Sequence, residues 1–168
     1  FYTHVLGLGG SKRPTAFTST HQCLYELIGW LHIEQSKRTL MREEVESRFE
    51  EIWVAREMPG KPGAAEYRAL ATRIIASFLK SGENLSFLEG RPFAIDLAAG
   101  RIVIEPHAIA QMADGTMVLR RVRTGHKRSN EYKDASHIEY GLYIHAGQTE
   151  FGHGSIVEAV HLADDLVE

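Results

Sequence analysis

Between Thr116 and Asn130 the sequence carries five basic side chains, Arg120, Arg121, Arg123, Lys127 and Arg128, and no acid. A guanidinium is a permanent cation whose planar donors fit a phosphate or carboxylate in pairs. The chemistry this strip offers is therefore anion binding. The first three arginines fall in MVLRRVRTG (residues 117–125), which reads as a strand ending in a turn. Alternate strand residues share a face. Arg121 and Arg123 should then point one way, and Arg120 the other, with Val118 and Val122. Upstream, RIVIEPHAIA (residues 101–110) puts Val103, Glu105, His107 and Ile109 on one face if it is a single strand. A hairpin at Asp114-Gly115 would set Glu105 and His107 beside Arg121 and Arg123. The plainest reading of such a cluster is a solvated sheet face with an Arg121–Glu105 salt bridge. A second is a phosphate-binding strip. A third joins His21, His107 and Glu105 into a zinc or manganese site, since imidazole suits those metals better than magnesium.

These residues need elements to hold them. Thr18-Ser19-Thr20 offers capping hydroxyls, and Leu24, Leu27, Ile28 and Leu31 recur at helical spacing, which predicts a helix over His21–Glu34. A second is expected over Met41–Arg56, with Val45, Phe49, Ile52 and Trp53 inward. MPGKPG (residues 58–63) must break it. A third follows over Ala64–Lys80 and stops at Gly82. The period then changes to that of strands: Pro92–Leu97, Arg101–Ala110 and Thr116–Arg123. Lys127–Lys133 reads as a polar loop. Asp134 caps an expected helix over Ala135–Ala146, which Gly147 ends, and Ile156–Leu162 closes the chain as a last strand. Helices against a mixed sheet follow from this order. One domain over residues 1–168 is expected, residues 1–90 mainly helical and 91–168 a sheet core with one helix.

Composition bounds the classes. The chain has 168 residues, enough for one core, and a net charge of −3. Acids gather in 43–51 and 164–168, away from the basic strip. One cysteine, Cys23, rules out an internal disulfide framework and any four-cysteine metal site in this sequence. It reads as a buried small hydrophobe. No apolar run reaches the roughly 18 residues that span a bilayer, and no signal-peptide pattern opens the chain. A cytoplasmic protein without membrane contact is expected. The start on Phe1 suggests a piece of something longer. LGLGGSKRP (residues 6–14) has glycines but no phosphate-loop pattern.

The segment GRIVIEPHAIAQMADGTMVLRRVRTG (residues 100–125) resembles the core of the PD-(D/E)XK nuclease superfamily in its RecB-like branch. That branch has G-x-x-D on one strand, a hairpin, then D-Y-K-T-G, and a helix carrying Q-x-x-x-Y. Thr124-Gly125 matches the end of the second motif. Glu139 and Tyr143 stand at the helix positions, with Glu for Gln. His21 resembles the histidine of that family's first helix, and FYTHVLGLGG (residues 1–10) the segment before it. In particular the chain resembles the C-terminal domain of bacterial helicases of the UvrD/Rep superfamily. The resemblance implies a restriction-endonuclease-like α/β fold, a mixed sheet flanked by helices with an N-terminal helical section.

The catalytic positions depart from the pattern. His107 replaces the aspartate of G-x-x-D, Arg121 the second acid and Arg123 the lysine. The family's carboxylates hold Mg²⁺, a hard cation that needs oxygen ligands. A guanidinium in their place repels the ion. The resemblance thus implies a nuclease fold with a dismantled metal site, and no cofactor in this piece. ATP and Mg²⁺ would belong to a helicase motor elsewhere in the parent chain. DNA is the expected partner, gripped by Arg121 and Arg123 with help from Arg120, Lys127 and Arg128. Two alternatives stand beside this. One is a metal-dependent nuclease with migrated ligands at His21, Glu105, His107 and Glu139. The other is a protein-docking module without catalysis.

Overall fold

The computed structural model describes residues 14–125, 133–164 and 166–167. Lys127 and Arg128 lie outside the described residues, as does the segment 1–13.

Helix α1 spans Ala16–Gln35. It starts five residues before its sequence-based bound because Thr15 is the cap: its hydroxyl accepts from the Thr18 N–H at 3.2 Å. Thr18, Ser19 and Thr20 instead fill the first turn, and Thr20 Oγ1 donates to the Ala16 carbonyl. Helix α2 (Arg42–Ala55) begins where Glu44 reaches back to accept the Met41 N–H at 2.8 Å. A 3-10 turn at Met58–Gly60 breaks the chain as expected, and α3 (Ala64–Ser81) follows. The three helices enclose Cys23, Leu24, Leu27, Leu31, Trp53, Ile74 and Phe78.

Seven strands are described: β1 (Leu85–Leu88), β2 (Phe93–Leu97), β3 (Gly100–Ile104), β4 (Ala108–Met112), β5 (Met117–Arg123), β6 (Ile156–His161) and β7 (Leu166–Val167). The stretch expected as one strand over Arg101–Ala110 is two. Pro106 has no N–H to give a ladder, so the chain leaves β3 at Glu105 and re-enters as β4 after His107. Strands β2 and β3 make a separate hairpin. The main sheet runs β1-β4-β5-β6-β7, with β5 central, antiparallel to β4 and parallel to β6. The β4–β5 turn is the Asp114-Gly115 hairpin, where Gly115 has φ +89° and Asp114 Oδ1 accepts the Thr116 N–H.

Helix α4 (Lys133–Phe151) makes the crossover that a parallel pair needs. It passes Gly147, the expected stop, and ends before Gly152 at φ +89°. Gly147 serves packing: a Cβ there would stand 2.9 Å from Leu119 Cδ1 and 3.0 Å from Ser155 Oγ. The helix therefore lies close on β5.

Three layers result. Val122, Val160 and Leu162 face the α1–α3 bundle. Leu119 and Ile109 face Tyr143 and Ala146 of α4 and Phe93, Ile95 and Ile104 of the hairpin. This is the mixed α/β fold with a helical N-terminal section. Among the described residues no helix is long and apolar enough to cross a membrane.

Candidate functional site

The alternation read from MVLRRVR is present, and it divides the arginines by burial. Arg120 points into the bundle side and is 0% exposed. Its Nε donates to Glu158 Oε2 at 2.9 Å, and its Nη2 to the Ser81 carbonyl and hydroxyl, each at 3.0 Å. Glu158 sits opposite it in the β5–β6 register. Burial works against the charge of Arg120 and Glu158 supports it. Arg120 therefore leaves the contact strip: it is an internal anchor that no ligand reaches.

Arg121 and Arg123 lie on the other face with side chains 29% and 33% exposed. They share one carboxylate. Arg121 Nε is 2.7 Å from Glu139 Oε1, and Arg123 Nη2 donates to Glu139 Oε2 at 3.0 Å. The expected Arg121–Glu105 bridge is replaced, because the break at Pro106 takes Glu105 off the ladder. The Glu105 residue is exposed, and its backbone carbonyl accepts from Tyr143 Oη at 3.0 Å. Asp114 stays in the β4–β5 turn, at the far end of the hairpin from Arg123.

His107 does join the arginines. Val122 N–H donates to its Nδ1 at 3.0 Å, so the proton of a neutral ring sits on Nε2. That Nε2 stands 2.6 Å from Arg121 Nη1, which is also a donor. The pair is a donor–donor contact and leaves this edge of the guanidinium without an acceptor. Protonation would worsen it. Burial, then the Arg121 charge, push the His107 pKa down to about 4, so the ring is neutral at pH 7.

His21 reaches the same end of β5 from α1, with Nδ1 2.6 Å from Thr124 Oγ1, and its pKa is lowered by burial. Tyr143 is buried under the site, which raises its pKa. The structure thus brings His21, His107, Arg121, Arg123, Glu139 and Tyr143 to the carboxyl end of the central strand. Ligands of open α/β sheets bind at such strand ends. Two neighbours were missed by sequence reasoning. Tyr25 packs edge-on against His107 with centroids 5.8 Å apart, and Phe17 against His21 at 4.4 Å. Their four-residue spacing with His21 in FTSTHQCLY was the available signal.

Two guanidinium groups and one carboxylate beside a neutral imidazole leave one positive charge. This donor set does not fit the Mg²⁺ of the resembled family: the one acid at its centre, Glu139, is already held by two cations. The set suits an anion. No protein-family model matches the chain, and no curated protein matches it either.

Proposed function

We propose that the chain is a non-catalytic DNA-binding domain on a nuclease-like fold, an accessory piece of an ATP-dependent UvrD/Rep-type helicase in the cytoplasm. Its motor, with ATP and Mg²⁺, would lie elsewhere in the parent protein. One observation carries the reading: Arg121 and Arg123 share a single carboxylate at the open end of β5 and keep an excess positive charge there. A phosphate can replace Glu139 on both guanidiniums and supply the acceptor that His107 denies to Arg121. Lys127 and Arg128 follow four and five residues after Arg123 in the sequence. Binding by this means is salt-dependent and largely indifferent to sequence.

The shared Glu139 also favours a second reading, in which the arginines only clamp α4 to β5 and the domain docks on protein. Titration of labelled DNA across a salt series separates the two. Salt-sensitive binding that falls at least tenfold in Arg121→Ala/Arg123→Ala, with the fold intact by circular dichroism, supports DNA binding. Affinity untouched by that double substitution leaves the clamp. Incubation of end-labelled DNA with Mg²⁺ or Mn²⁺ tests the catalytic alternative: cleavage lost in His107→Ala would overturn the non-catalytic reading.

A further inference from the structure

Phe17, His21 and Tyr25 recur every fourth residue of α1 and so share one helix face. The adjoining side of the helix is buried through Leu24, Leu27 and Leu31. Phe17 and Tyr25 are instead 56% and 43% exposed. Single exposed aromatics are ordinary on protein surfaces. These two flank the arginine site and are joined to it at two points. His21, in ring contact with Phe17, meets Thr124 at 2.6 Å. Tyr25 packs on His107, whose Nε2 is 2.6 Å from Arg121 Nη1. An apolar, π-faced ledge therefore runs along a cationic pair.

We infer that the site takes an unpaired DNA strand, with phosphates at Arg121 and Arg123 and bases stacked on Phe17 and Tyr25. The inference rests on the reading of that arginine pair as a phosphate site. A duplex offers phosphates but keeps its base faces inside the stack, so it can satisfy the arginines and not the ledge. An unpaired strand can satisfy both, and every base has a π-face to offer. The ledge thus turns a charge-only grip into one that discriminates strand state without reading sequence.

Fluorescence anisotropy with the whole chain tests this on three probes of equal length: a thymidine strand, an abasic sugar–phosphate strand and a duplex. The wild type should bind the thymidine strand about tenfold more tightly than either other probe, the effect of roughly one stacked base. Phe17→Leu/Tyr25→Leu should bring the thymidine strand to the abasic level and leave the abasic and duplex affinities unchanged. Both side chains are largely exposed, so this variant is expected to fold, and its circular dichroism checks that. Arg121→Ala/Arg123→Ala should weaken all three probes. Equal wild-type affinity for thymidine and abasic strands, or no change in the leucine variant, overturns the stacking ledge alone. Unchanged affinity in the arginine variant, or no binding of any probe by the wild type, overturns the phosphate site and the ledge with it.

Discussion

Arg120 and Arg121 are neighbours in sequence with opposite fates. Arg120 faces the helical bundle, fully enclosed, with Glu158 and Ser81 as partners. Arg121 faces α4, partly open, and shares Glu139 with Arg123. Each face also has a histidine. His32 is buried on the Arg120 side between the rings of Phe78 and Phe87, and His107 stands on the Arg121 side. The same side chain is an internal tie on one face of a strand and a candidate ligand on the other. A run of arginines therefore has no functional meaning until the strand's two faces are assigned.

The contrast is broken most directly by removing one arginine at a time. Arg120→Ala strands Glu158 and empties a buried site, and should cost about 3–5 kcal/mol in denaturant unfolding. Arg121→Ala breaks a partly exposed pair and should cost about 1 kcal/mol or less. Equal costs would erase the distinction.

The histidines sharpen it through pH. Burial, and next the Arg120 charge, push the His32 pKa down to about 3, and His107 is pushed down to about 4. In both cases the folded state resists a proton that the unfolded chain takes up near 6.5. Their stability contribution is thus complete above about pH 6.5 and drains as pH falls toward the folded values. His32→Leu should remove up to about 1.4 kcal/mol per pH unit from that slope, read from urea unfolding at successive pH values. An unchanged slope would show that His32 is not held neutral.

A smaller effect on stability, but a specific one on binding, is expected from the arginine pair. Each arginine lost should flatten the dependence of log affinity on log salt by roughly one. Smallest is Glu139→Gln. It removes the internal carboxylate that competes with phosphate, and should raise DNA affinity about three- to tenfold, on the order of 1 kcal/mol. Weaker binding in that variant would mean that Glu139 positions the arginines rather than opposing a ligand.

Much of the frame was legible because local rules governed it. The alternation in MVLRRVR, the Asp114-Gly115 turn and the break at MPGKPG each depend on a few adjacent residues. What escaped depended on distant ones. Gly147 looked like a helix stop, but its small size is required by Leu119 and Ser155. Leu85–Leu88 is too short to announce itself and exists as β1 through its pairing with β4. Arg120 reads as an aid to DNA contact in the sequence because Glu158, its partner, is 38 residues away. Glu105 was preferred to Glu139 as the acid because the strand seemed to continue through Pro106. His107 reached its expected neighbour regardless, since it directly precedes β4 and its N–H donates to the Arg120 carbonyl of β5.

The crossover has a consequence for how the chain can assemble. Strand β5 finds β4 at once across a short turn, but its other neighbour, β6, starts at Ile156, after the whole of α4. Until then Arg120 has no Glu158, and a bundle that closed over β5 would trap a lone cation. Vectorial synthesis therefore leaves the central strand half-paired until β6 emerges. Arrival of β6 and neutralisation of Arg120 are thus one non-local event, and a chain cut short before Ile156 would lack both the Glu158 partner and the Val160 and Leu162 part of the bundle core.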